Sequence, residues 1–403
     1  MKQSLRSNQA LRINTDDRQN RERDPRFGLG TVAVDGKKQE TRRARALSKP
    51  EDSGKKNISV ILPKISYEGV AKVGLVQANL LQTHYCARVE ILSLVKEQKR
   101  FEELVKNLIV RYAVPVAILS RTSYYFFSRF VKIESDMILA HNIPSTVVAS
   151  RMFKNKGIPY VAYIHDAAFD KIPGSLPSFA YGRIRESLKQ SAIVFTNSQK
   201  TLRELGRRYD VEGSPLYPGC FTIKQPNGVK SDFFLFVHFI SPRSSFKFLT
   251  KLLERESFDL IIAGGRRWRW REVLNSFKKF GERVRFVFEP TERDLSALYQ
   301  QAKGLIFPEV ENFGLSPLEA AACACPSVVA DGSGVVEVLE KGREILTCKE
   351  GDINGFKEAL QVLREDEKYS RQLGREAWKA AQKCSWQAHA SVLAKSLETL
   401  GRD

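Results

Sequence analysis

The stretch from Phe307 to Glu337 reads FPEVENFGLSPLEAAACACPSVVADGSGVVE. It opens on the end of an apolar strand, Gly304–Phe307, and continues into a loop carrying Glu311, Asn312, Phe313 and Gly314. A helix start is predicted next, with Ser316 as N-cap, Pro317 as the first helical residue and Glu319 closing a capping box three residues after Ser316. Ala320, Ala321, Ala322 and Ala324 let that helix lie close to a sheet. A second apolar strand, Ser327–Ala330, leads into the turn Asp331-Gly332-Ser333-Gly334.

A loop that follows a strand and opens a helix offers unpaired backbone N–H groups and a positive dipole end. Gly314 lets backbone approach a ligand closely. Glu311 and Glu319 flank that spot, and each carboxylate can accept charge-assisted hydrogen bonds from hydroxyls, worth roughly 1.5–3 kcal/mol apiece. Donors between two hydroxyl acceptors suit a nucleotide-sugar.

Outward from this unit, strands alternate with helical patterns, which predicts an α/β chain with parallel sheets. Downstream of a Gly- and Pro-rich linker at 213–230, strands are expected at 233–240, 259–263, 284–288 and 344–347, with helices between them and after them. Upstream, strands are expected at 58–62, 89–95, 114–119, 136–141, 160–165 and 192–197, with helices at 70–83 and 145–156. The run Tyr124-Tyr125-Phe126-Phe127 reads as helix core. His141 and His165 end strands, where open α/β sheets bind their ligands.

The chain has 403 residues, enough for two domains and a tail. No run approaches the ~20 apolar residues of a spanning helix, and no secretory signal is expected. The six cysteines have no metal spacing and read as reduced thiols of a cytoplasmic protein. Net charge is +19, of which +7 falls in residues 1–56, an Arg-rich stretch read as a disordered tail with its densest cluster at Arg42-Arg43-Ala44-Arg45. Such a basic balance favours anionic lipid, nucleic acid or phosphate-bearing substrates. No zinc-finger, RNP or helix-turn-helix signature marks a specific nucleic-acid binder.

The register Glu311-Asn-Phe-Gly-Leu, Leu318-Glu319-Ala, Pro326-Ser-Val-Val-Ala and Gly334-Val-Val-Glu337 resembles the Glu-x7-Glu signature of retaining GT-B glycosyltransferases of the family 4 type, and Phe307-Pro308 resembles the mannosyltransferase-like members. The resemblance implies a GT-B fold, two Rossmann-like domains facing across a cleft. Residues 57–215 would form the acceptor domain, 216–383 the nucleotide-sugar domain, and 384–403 a helix crossing back to the first. It also implies roles. Glu311 would hold donor-sugar hydroxyls, Glu319 the ribose and His165 the far side of the sugar. Asn312, Phe313, Gly314 and Leu315 would supply backbone contacts, and Gly69 stands where a glycine turn follows the first strand. Tyr217-Pro218-Gly219 resembles the interdomain turn.

Five positions depart from the family, one of them Glu68, which precedes Gly69 where the family usually has a Gly-Gly turn. The Arg and Lys that clamp the donor diphosphate fall on Phe239 and Ser244, leaving Arg243, Lys247 and Arg266 as substitutes. Ala324 and Ser333 stand where glycines are usual. The expected function is transfer of a hexose from GDP-mannose or a UDP-sugar to a saccharide or lipid-linked acceptor, without metal or other cofactor. The expected location is cytoplasmic, in peripheral contact with an anionic membrane at its inner face. The alternative is a non-catalytic GT-B subunit that binds a sugar or partner.

Overall fold

The computed structural model describes residues 55–65, 69–95, 107–112, 131–168, 178–224 and 230–400. The basic stretch at 1–54, the strand expected at 114–119 and the aromatic run at 124–127 lie outside them.

Two all-parallel sheets organise the chain. The first contains β1 (Asn57–Lys64), β2 (Arg88–Val95), β3 (Ile109–Tyr112), β4 (Met137–His141), β5 (Tyr160–Ile164), β6 (Ile193–Thr196) and β7 (Ser214–Pro215), in the order β3-β2-β1-β4-β5-β6-β7. Its central strands are near-continuous apolar runs, buried at every residue in β4 and β5, as a parallel sheet covered on both faces requires. The covering helices include α1 (Gly69–His84), α2 (Asn142–Lys156), α3 (Ser178–Lys189) and α4 (Gln199–Tyr209). Ser198 caps α4, its side chain accepting from the amide of Thr201.

The second sheet contains β8 (Phe234–Val237), β9 (Leu260–Gly264), β10 (Val284–Phe288), β11 (Gly304–Phe307), β12 (Ser327–Ala330) and β13 (Leu346–Cys348), in the order β10-β9-β8-β11-β12-β13. Its helices are α5 (Ser244–Arg255), α6 (Trp270–Phe277), α7 (Glu292–Gln301), α8 (Leu315–Ala322), α9 (Ile353–Glu365) and α10 (Glu367–Lys383). Strand order reverses between β1 and β4 in one sheet and between β8 and β11 in the other. A crevice opens at such a switch point, beyond the carboxyl ends of the strands. Gly69 and His141 stand at the first; His238 and Glu311 stand at the second.

The chain crosses between the halves twice, side by side. Cys220 donates its amide to Cys384 O at 2.8 Å, and a Cβ on Gly219 would lie 2.5 Å from the Trp386 amide. The returning helix α11 (Trp386–Thr399) buries Trp386, Leu393 and Leu397 against Val60, Leu75 and Leu139 of the first half.

One local expectation is corrected. The helix at the centre of the signature starts at Leu315, with Gly314 as N-cap at φ 96°, and no side chain caps it. Ser316 lies inside the first turn and its hydroxyl donates to Val237 O at 3.2 Å. Pro317 is the third helical residue, where its missing N–H costs no intrahelical bond. Glu319 closes no capping box. Gly314 sets the earlier start, since its left-handed backbone turns the loop into the helix two residues before Ser316.

Candidate active site

The loop from Glu309 to Gly314 joins β11 to α8 and is held from several sides. Ser333, at a position where the family pattern has glycine, accepts from the Glu311 amide at 3.2 Å and donates to Glu309 O at 3.3 Å. Gly334 donates to Glu311 O and Val335 to Phe313 O. Phe313 is buried beside Phe307 and Leu318, so it anchors the loop with its ring. Among the described residues no carbonyl or side chain takes up the amides of Gly314, Leu315 and Ser316. Three donors at a helix start therefore face the crevice.

Both predicted carboxylates border those donors, and each has a partner that sequence spacing did not single out. Glu311 Oε1 lies 3.0 Å from His238 Nε2. His238 Nδ1 lies 3.1 Å from Phe239 O, so both ring nitrogens face oxygen acceptors. Glu319 is held on both oxygens: Lys72 Nζ lies 2.5 Å from Oε1, and Tyr299 donates its hydroxyl to Oε2 at 3.1 Å. Lys72 comes from α1, in the other half of the molecule, and also reaches Glu292 at 2.6 Å. Burial works against its charge, but Glu319 and Glu292 outweigh burial and raise its pKa above the ordinary lysine value.

Further contacts close the crevice. Glu337 accepts from the amides of Gln199 at 2.7 Å and Lys200 at 2.9 Å, so a carboxylate from one half caps helix α4 of the other. Lys200 Nζ donates to Glu311 O at 3.1 Å and Gly332 O at 3.0 Å. Ser198 Oγ donates to Asn312 O at 2.7 Å. Gly69, at the start of α1, packs on Leu315; a Cβ there would lie 2.9 Å from Leu315 Cδ1.

His165 directly follows β5. Its ring is buried and its Nε2 lies 3.0 Å from His141 Nδ1, which leaves only Nδ1 to a ligand. Its carbonyl accepts from Asn312 Nδ2 across the crevice at 3.2 Å and from Asn197 Nδ2 of its own half at 3.1 Å. Asn142, at φ 62°, takes the His165 amide on its side-chain oxygen at 2.7 Å. Burial, with His141 beside it, pushes the His165 pKa well below the usual imidazole value, and burial lowers His141 to about 3. Both rings are neutral at pH 7.

The three cations expected to replace the clamp are occupied or remote. Arg243 Nε pairs with Glu309 at 3.3 Å and its guanidinium lies over Phe239. Burial raises the Glu309 pKa, but the Ser244 hydroxyl, the Ser245 amide and Arg243 outweigh it and hold the pKa below the ordinary carboxylate value. Arg266 pairs with Glu289 at 3.0 Å, at the β9–β10 side of the sheet and away from β11. Lys247 is exposed in the first turn of α5. The residues missed from sequence are Lys72, His238, Lys200 and Tyr299. His238 alone had a local signal: it ends β8 next to the strand that delivers Glu311.

Residues 222–380 match the family described as glycosyl transferases group 1. The chain is 28% identical over 169 residues to the D-inositol 3-phosphate glycosyltransferase of Corynebacterium jeikeium, covering 40% of each chain. It is 26% identical over 194 residues to the O-antigen chain mannosyltransferase RfbU of Salmonella typhimurium, covering 44% of this chain and 54% of that one. The matches thus span about half or less of these curated relatives. Among solved structures, Anabaena Alr3699/HepE in complex with UDP and glucose matches at TM-score 0.67 and 17% identity, over 85% of this chain and 100% of that one. Sucrose-phosphate synthase from Thermosynechococcus elongatus matches at TM-score 0.72 and 15% identity, over 86% and 99%. The paired parallel sheets have the GT-B fold, and its second half, residues 222–380, is similar to the glycosyl transferases group 1 family.

Proposed function

We propose that this chain is a glycosyltransferase that moves a hexose from a nucleotide-sugar to a saccharide or lipid-linked acceptor, with retention at the anomeric carbon. The observation that carries the reading is the set of amides at Gly314, Leu315 and Ser316, bordered by Glu311 and Glu319 at the switch point of the second sheet. Glu319 would hold the ribose and Glu311 the donor-sugar hydroxyls, with His238 fixing the Glu311 rotamer. The amides, aided by the helix dipole, would stabilise charge growing on the departing diphosphate. That oxygen would accept the proton of the incoming hydroxyl on the same face of the sugar. Asn312 would tie the loop to the His165 carbonyl, and Lys72 is the cation nearest the ribose acceptor.

The test is a transfer and binding assay across UDP- and GDP-sugars. Glu311→Gln should lower turnover about tenfold to a hundredfold, matching the loss of one charge-assisted hydrogen bond of roughly 1.5–3 kcal/mol. It should change nucleotide affinity less. Glu319→Gln should weaken nucleotide binding first. Wild-type turnover in both variants would refute the assignment.

A second reading is favoured by one feature, the commitment of Arg243 to Glu309 and of Arg266 to Glu289. A GT-B subunit that binds nucleotide-sugar without turning it over would carry that pattern. Stoichiometric donor binding, with neither hydrolysis nor transfer across the panel, would favour it.

A further inference from the structure

The turn after β9 reads Arg266-Arg-Trp-Arg-Trp-Arg271, four arginines and two tryptophans in six residues. Trp268 is 74% exposed, the most exposed large apolar side chain among the described residues. A lone indole held in water needs a reason, because indoles are otherwise buried or seated at interfaces. Arg269, beside it, is in the left-handed region at φ 57°, and its guanidinium lies over the Trp268 ring at 4.8 Å. Arg271 lies over Trp270 at 4.8 Å and is exposed. The neighbouring turn after β8 continues the pattern, with Arg243 and Arg267 over Phe239 at 4.9 and 4.5 Å.

We propose that this rim is a contact surface for an anionic lipid membrane. Indole prefers the headgroup level of a bilayer, and guanidinium binds phosphate in a planar fork, so alternating Trp and Arg match both layers of that interface. The five arginines stand against three carboxylates, Glu272, Glu289 and Glu309, so the rim carries more positive than negative charge. Arg271 has no carboxylate partner among the described residues. A single-stranded nucleic acid would need open ring faces on which bases stack. Here guanidiniums lie over the rings, while a bilayer needs only an indole edge and adjacent cations. The rim sits at the carboxyl ends of β8 and β9, the same end of the sheet as Glu311. A membrane touching it would lie beside the mouth of the crevice, where a lipid-linked acceptor could enter. The surface lies on the second half, and it does not rest on the donor reading, because attachment is measured without sugar transfer.

The experiment is co-sedimentation of the full chain with vesicles of phosphatidylcholine alone or mixed with phosphatidylglycerol, at low and high salt. The wild type should sediment with the mixed vesicles only, and less at high salt. Trp268→Ala should weaken that binding about tenfold and Trp268→Phe less, with melting temperatures unchanged because the side chain is exposed. Arg269→Glu/Arg271→Glu should remove most of the salt-sensitive binding. Wild-type sedimentation of both variants would assign attachment to other basic residues and overturn the proposal. So would absence of vesicle binding, full competition by millimolar inorganic phosphate, or a loss in Trp268→Ala of oligonucleotide binding alone.

Discussion

The two halves of the crevice are built from opposite materials. The second half contributes carboxylates: Glu311, Glu319 and Glu337 all point to the junction. The first half answers with Lys72, Lys200 and the first amides of α4, behind which lies a neutral set of buried rings, His141, His165 and Tyr163. The difference teaches that charge complementarity across the junction is done by long-range pairs, while the switch point of the first sheet is shaped by neutral hydrogen bonding. On the proposed reading, a donor phosphate entering between them would meet donors from both halves and compete with pairs already made.

The largest expected effect breaks the comparison at Lys72. Lys72→Met keeps the volume but leaves Glu319 short of a cation in a site with little water. Removing one partner of a buried pair costs about 3–5 kcal/mol; Glu292 is half exposed, so about 2–3 kcal/mol is expected here. Thermal unfolding should register it. Lys72→Met combined with Glu319→Gln should recover part of the loss, and a double-mutant cycle without coupling would show that the contact is not a latch.

Acid should separate the halves next. Burial, resisted by the Tyr217 carbonyl, lowers the His389 pKa to about 4, and burial lowers His141 to about 3, both from 6.5 in the unfolded chain. The unfolded state therefore binds more protons below pH 6.5, and stability falls as pH drops through 6.5 towards 4. The expected loss is on the order of 1–2 kcal/mol per ring by pH 5. Melting curves of wild type and His389→Gln measured from pH 7.5 to 5 should converge as pH falls. Parallel curves would remove His389 from the explanation.

How much of this was legible in the chain follows from how local each cause is. The strands at 284–288, 304–307 and 327–330 coincide with β10, β11 and β12: β11 and β12 are buried at every residue and read directly from apolar runs, and the edge strand β10 reads from the apolar residues around its exposed Arg285. The helix after Glu311 was displaced by two residues, since Ser316, Pro317 and Glu319 satisfy a local capping rule that Gly314 overrides through its backbone. Lys72 was invisible because its partners are 220 and 247 residues away, and no spacing rule reaches that far. Arg243 and Arg266 were legible as cations but not as partners of Glu309 and Glu289, a choice made by tertiary packing.

The smallest effect sharpens the second half alone. Ala324, at φ 53°, ends the signature helix in a conformation that costs an L-residue roughly 1–2 kcal/mol. Ala324→Gly relieves it but loosens the unfolded chain, so a gain of about 0.5–1 kcal/mol is expected in thermal unfolding. A loss would mean the methyl group packs usefully.

The return of α11 to the first half bears on how the molecule is made. Gln77 Nε2 meets His389 Nε2 at 2.7 Å across 312 residues of chain, and Trp386, Leu393 and Leu397 fill the same core as Val60 and Leu139. On a translating ribosome the first sheet therefore emerges with one flank of its core uncovered, and waits while the whole second half is synthesised and can fold. Contacts this far apart close late and slowly. The early-born half is the one that needs shielding during synthesis, although its strands are the first to leave the tunnel.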